Sequence, residues 1–295
     1  MAVVNYLNLD NLKLAEPGKE QILRTKLNVN MRGNNFDDLE GSLLISDTYY
    51  HFDKTLFYVH NIGINSFGFG KGRTFYLRSD FADGEVSGLI DAKHFTASVK
   101  EFMSHYLPDA YLTKDLTIYN QNAAFIFTIK NSDLITQLFA PDFHAETGTE
   151  LSGRFNTSEN IFSLHVNAPE IRYGNIRLND VNILVENDSS QLSTSFKTNN
   201  ISIGEGINIA MVSINSSTRN NRVQFQFSAS DADTFPNRIN LQGVYSILSP
   251  SKSKLIFEKS SVFITNEEWV LNRENNIDID SSTVVDLTQK DIKKF

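Results

Sequence analysis

IFSLHV (161–166), IRLNDVNILV (176–185), LSTSFKTNNISI (192–203), INIAM (207–211) and VQFQF (223–227) repeat one pattern, an apolar side chain at every second position. Phe162, Leu164 and Val166 alternate with Ser163 and His165, and Val223, Phe225 and Phe227 with Gln224 and Gln226. In between come Ile176 and Leu178, then Val181, Ile183 and Val185, Leu192 and Phe196, Ile201 and Ile203, and Ile207, Ile209 and Met211. A period of two places every apolar residue of a strand on one face. The intervals are rich in Asn, Asp, Ser and Gly, which build turns. The expectation is a long antiparallel sheet with one greasy and one wet face.

Outward from that stretch the pattern continues. Leu27, Val29 and Met31 alternate before a turn at 32–35, and Leu39, Leu43, Ile45, Leu56, Tyr58, Ile62 and Ile64 follow in strand spacing. The glycine-rich run 68–72 lacks P-loop spacing and leads into the strand Phe75–Leu77 rather than a helix, so it reads as a hairpin loop. The period changes at 91–107, where Ala92, Phe95, Val99, Phe102, Met103 and Tyr106 follow helical spacing, with Asp91 as N-cap and Pro108 as stop. A second, shorter helix is expected at 132–140, capped by Asn131 or Ser132, and strands at Leu116–Ile118 and Phe125–Ile129 lie between the two. Strands resume at 239–245, 255–257, 262–264 and 269–271. The reading is therefore mainly β, a curled antiparallel sheet with two short amphipathic helices. It divides into a β region over 1–90, a helix–strand–helix stretch over 91–145, an extended sheet over 146–280 and a polar tail over 281–295.

Composition narrows the function. A chain that is 40% apolar and 21% charged folds rather than staying disordered. A net charge of −8 argues against a nucleic-acid partner and against a polybasic membrane anchor. No cysteine is present, which removes disulfides and thiolate chemistry. No apolar run reaches the roughly 18–20 residues of a membrane span, and both chain ends are expected to be cuts through a longer protein. The histidines at 51, 60, 94, 105, 144 and 165 show no metal-ligand spacing, the Asp pairs 231/233 and 278/280 lack the rest of a calcium loop, and no nucleophile elbow occurs. No cofactor and no enzyme chemistry are expected. The apolar sheet face remains the signal, and alternation alone leaves two readings open: a packed core, or a trough that stays available to lipid tails.

Three segments carry a resemblance. FYLRSDFADGEVSGLIDAKHFTASVKEFMSHYLPD (75–109) joins a strand, SDF-x-D, a second strand and a helix closing in Tyr-Leu-Pro; LITQLFAPDFHAETGTELSGRF (134–155) and WVLNRENNIDID (269–280) follow in order. Their order and spacing resemble the middle region of the Bacteroidetes branch of the TamB family of translocation and assembly modules, relatives of the AsmA-like proteins. The resemblance implies a β-structure folded like a taco around an apolar groove, in a protein bridging the periplasm of a Gram-negative bacterium. It implies phospholipid transport between inner and outer membrane, with acyl chains as the bound partner. An Omp85-type outer-membrane partner is implied through parts of such proteins that this sequence does not contain. From alternation, the groove-lining candidates are Phe162, Leu164, Val166, Ile176, Leu178, Ile183, Ile201, Ile203, Ile209, Val223, Phe225 and Phe227, and a register slip of one would turn a whole strand's set away. An assembly scaffold for outer-membrane proteins is the alternative, and a secreted hydrolase or sugar-binding β-protein a third.

Overall fold

The computed structural model describes residues 2–8, 21–34, 38–52, 55–69, 72–110, 119–188, 190–230, 237–264, 267–271, 276–280, 285–288 and 292–294. The expected strand at Leu116–Ile118, the aspartates 231 and 233 and the centre of the 68–72 loop lie outside them. In chain order come β1 (Ala2–Asn8), β2 (Gln21–Arg32), β3 (Glu40–Phe52), β4 (Thr55–Phe69), β5 (Gly72–Ser79) and β6 (Ala82–Leu89). A 3-10 turn at Ala92–His94 runs into α1 (Phe95–Ser104), followed by β7 (Asn122–Ile129), α2 (Asp133–Phe139), β8 (Phe143–Ala145) and β9 (Glu150–Asn156). Then come β10 (Ile161–Tyr173), β11 (Ile176–Asn187), β12 (Leu192–Ile203), β13 (Ile207–Arg219), β14 (Arg222–Ser230) and β15 (Arg238–Ser249). β16 (Lys252–Phe257), β17 (Ser260–Ile264), β18 (Glu267–Leu271), β19 (Asn276–Asp280), β20 (Val285–Thr288) and β21 (Ile292–Lys294) close the chain. The protein is mainly β and its sheet is antiparallel and not closed into a barrel.

The chain forms two compact units, residues 1–92 with 123–152, and residues 93–122 with 153–295. The stretch 91–145 therefore divides between them. In the first unit β1 to β6 pair in sequence order, each with the next. The glycine-rich loop is a tight hairpin, with Phe69 paired to Gly72. In the second unit β10 to β16 pair in the same way. Beyond β15 the strands are interrupted. β16 and β17 both pair with β15, one after the other, and Ser260 bridges the break: its hydroxyl accepts from the Gln242 N–H at 2.9 Å. Tight turns fit their residues. Asn220 and Asn221 both have positive φ between the paired Arg219 and Arg222, as a two-residue type I′ hairpin requires, and asparagine tolerates that region better than most residues.

One feature organises the long strands of the second unit. In β11 the apolar phase shifts between Leu178 and Val181, and in β13 between Ile209 and Val212. At each shift a residue sits in the left-handed region, Asp180 with φ +52° and Met211 with φ +45°. The ladders keep register through both positions, and the same change of phase crosses β10 between Ala168 and Ile171 and β12 between Thr198 and Ile201, so the four strands share one in-register crease rather than a bulge in any of them. Leu178 pairs with Ile201 and Ile201 with Ile209 on one side of the line, while Ala168 pairs with Val181 and Thr198 with Val212 on the other. Ala168, Val181, Thr198 and Val212 are all buried, so the strands crease along a row of small and β-branched side chains. Met211, which alternation groups with Ile207 and Ile209, is instead an exposed left-handed residue at the crease, at 55% exposure, and Val212 is the buried one. The first unit creases likewise at Asp47, φ +48°, where the Thr25 and Thr48 hydroxyls meet at 2.8 Å.

The helices match their expected places more narrowly. α1 begins after the 3-10 turn, with His94 rather than Asp91 at its N-cap, and ends at Ser104. α2 has Ser132 at its N-cap, but the hydroxyl is used elsewhere, accepting from the Ala145 N–H at 2.9 Å.

Candidate apolar binding face

The register of the second unit fixes which side chains share a face, because residues directly opposite in a ladder project to the same side. One row runs Leu164, Val185, Thr194, Ser216, Phe225, Gly243 and Phe257. The next runs Val166, Ile183, Phe196, Ile214, Phe227 and Leu241. Beyond the crease come Ile171, Leu178, Ile201 and Ile209, then Tyr173, Ile176, Ile203 and Ile207. At the opposite end Leu192, Thr218, Val223, Tyr245, Leu255 and Ile277 form a row. Phe162 joins the same face by alternation with Leu164. On one side of the crease Phe162, Leu164, Val166, Ile183, Val223, Phe225 and Phe227 share a face, and on the other side Ile176, Leu178, Ile201, Ile203 and Ile209 do; the apolar phase changes between the two sets in all four strands.

That face is half-open. Of the twelve, only Val166 is buried, and the others are partly exposed. Their neighbours Ile207 and Ile214 are 54% and 38% exposed. Leu, Ile and Phe in a filled core would be almost wholly covered.

α1 covers the end of the face nearest the hairpin turns. Its Phe102, with Tyr106 just beyond its end, forms a buried cluster with Phe155 and Leu192, against which Val99, Met103, Phe162 and Val185 pack. Phe102 meets Phe162 at 5.5 Å between ring centres, so the partly buried Phe162 packs beneath the helix. Polar contacts fasten the segment after the helix to the turns. Asn187 Nδ2 donates to the Tyr106 hydroxyl at 2.8 Å, and Asn221 N–H donates to the Tyr106 carbonyl at 2.9 Å. Asp109 and Asn221 exchange two hydrogen bonds, Asp109 N–H to Oδ1 at 2.9 Å and Nδ2 to the carboxylate at 2.7 Å. The helix is a fixed stop at that end of the face.

The face is less uniform than alternation implies. Phe225 is paired with Gly243, and its ring lies so close that a Cβ on Gly243 would meet it at 2.8 Å. Thr194 and Ser216 interrupt the row of Leu164 and Phe225 with hydroxyls. The face therefore carries polar steps and is not hydrocarbon alone. The opposite face is hydrophilic, with Asn182 Nδ2 donating to Asn167 at 2.6 Å and Glu170 paired to Arg172 and Arg177 at 3.0 and 3.4 Å. At the β11–β12 turn the Ser190 hydroxyl and N–H and the Gln191 N–H hold the Asp188 carboxyl below its ordinary range.

Among the described residues no group of His, Asp and Glu is placed to hold a metal ion, and no helix is long and apolar enough to cross a membrane. No protein-family model, no curated protein and no solved structure matches the chain.

Proposed function

We propose that this chain is a segment of a periplasmic envelope protein whose apolar sheet face carries phospholipid acyl chains between the inner and outer membrane. The supporting observation is the half-exposed apolar surface that the ladder rows build, from β10 to β16 on one side of the crease and from β10 to β13 on the other. A protein that needed only a core would cover those side chains; one that hands acyl chains along must leave them reachable. Burying hydrocarbon is worth about 0.8 kcal/mol per CH₂, enough over a chain to offset much of the cost of leaving a bilayer. The headgroup stays in water at the open side. Neither a covalent step nor a cofactor is required.

The experiment is native mass spectrometry of the purified protein, followed by solvent extraction. Copurified phospholipid is expected, and it should fall several-fold in Ile203→Asp while the far-ultraviolet spectrum stays that of the parent. A lipid-free wild-type protein that also takes none from vesicles would sink the proposal. The scaffold alternative would then be tested by capture of an Omp85-type partner.

A further inference from the structure

The first unit carries an apolar face of its own, and on it stands one cation. Leu43, Ile64, Leu77 and Gly84 form one cross-strand row, with Phe75 and Val86 in the next. With Phe127 these residues line a cavity of about 350 Å³ whose walls are wholly apolar. Phe127 closes over Gly84, where a Cβ would meet its ring at 2.1 Å. The β4–β5 and β5–β6 registers run unbroken through this region, so Arg73 projects from the same side as Phe75 and Leu77. It is two residues from Phe75, about 7 Å along the strand. Its neighbours in the ladder are Gly68 and Gly88, neither of which fills the space. The guanidinium lies flat over Gly68, so close that a Cβ there would collide with Nη1.

Arg73 is poorly satisfied. Among the described residues its buried Nε has no acceptor, its one hydrogen bond is a long 3.4 Å contact from Nη1 to the Gly72 carbonyl, and no carboxylate pairs with it. Of the unit's other arginines, Arg32 pairs with Glu40 at 2.9 Å and Arg78 with Asp83 at 3.8 Å, while Arg24 lies over the Tyr49 ring. A guanidinium on an apolar face, with donors idle, is costly to keep unless an anion completes it.

We propose that Arg73 and the adjoining cavity form a binding site for an anionic amphiphile: one hydrocarbon chain enters between Leu43, Phe75, Leu77 and Phe127, and its carboxylate or phosphate takes the guanidinium. This rests on the reading that the apolar faces meet acyl chains, and adds headgroup selection at a fixed position. The chain's net charge of −8 opposes anions in general, so any preference for them must be local.

The test uses three probes with one palmitoyl tail: palmitate, lysophosphatidate and neutral monopalmitoylglycerol, each titrated calorimetrically into the protein below its critical micelle concentration. At least one anionic probe should bind tenfold or more tighter than the neutral one, and which anion is preferred identifies a free acid or a phospholipid headgroup as the source. Arg73→Gln should bring the ratio close to one while leaving the neutral probe's affinity unchanged. Gly68→Ala, which pushes the guanidinium aside without removing its charge, should lower the ratio too. Equal binding of all probes to the wild type, or an anion preference that survives Arg73→Gln, overturns this site and leaves the acyl-chain reading standing. Failure of all three probes to bind overturns both.

Discussion

At the scale of single residues, left-handed positions mark the crease in β11 and β13. Met211 holds a left-handed backbone at φ +45° with a side chain that is 55% exposed. A non-glycine residue there costs about 1–2 kcal/mol, of which glycine would return part by its own unfolded-state entropy. Met211→Gly is therefore expected to stabilise the protein by about 0.5–1 kcal/mol and Met211→Val to destabilise it by more than about 1 kcal/mol, read by urea denaturation. The sequence hides this position because Ile207, Ile209 and Met211 continue the alternation, and only the structure reveals that Val212 is the buried one. A second residue-scale expectation concerns acid. The Asp188 carboxyl titrates below its ordinary value of 3.8 because Ser190 and Gln191 donate to it. Its contribution is thus complete above that value and lost as the pH falls through the lower folded-state pKa. Asp188→Asn should flatten the stability profile below about pH 4 and leave the neutral region's shape unchanged; an identical acid limb in the variant would refute the assignment.

Among elements, α1 is the one whose place the sequence announced and whose role it did not. Apolar spacing at Phe95, Val99, Phe102 and Met103 suffices for a helix, since that pattern is local. Where the helix docks depends on partners at Phe155, Phe162 and Leu192, and on Asn187 and Asn221 in turns far along the chain, which no periodicity encodes. The long strands show the converse. Their apolar groups at 176–178 and 181–185 look like separate strands, yet belong to β11, continuous through Asp180. The division of labour within the face is measurable. Phe102→Ala removes the centre of the buried cluster and should cost about 3–5 kcal/mol, and Tyr106→Phe, which deletes the hydroxyl that Asn187 bonds, about 1 kcal/mol. Equal, negligible losses from both would mean that the helix is not held against the sheet.

For the molecule as a whole, each unit combines a buried crease with a partly exposed apolar face, and the two separate structural residues from those proposed to bind. Val181 lies in the crease at 2% exposure, paired to Ala168; Ile207 lies beyond the crease and is 54% exposed. An aspartate at 181 would be enclosed without a partner, a cost of several kcal/mol that a marginally stable fold does not survive. An aspartate at 207 keeps its hydration and should change stability by about 1 kcal/mol or less. Alternation in the sequence treats Val181 and Ile207 alike, since both are apolar residues in strand spacing; the difference arises only when the strands crease and one row is closed off. Val181→Asp is accordingly expected to give unfolded or aggregated protein, while Ile207→Asp gives folded protein with less copurified lipid. Circular dichroism and lipid extraction on the pair read both properties. If Ile207→Asp unfolds as readily as Val181→Asp, the open rows are core and the acyl-chain proposal loses its surface; if both fold and retain lipid equally, the lipid lies elsewhere.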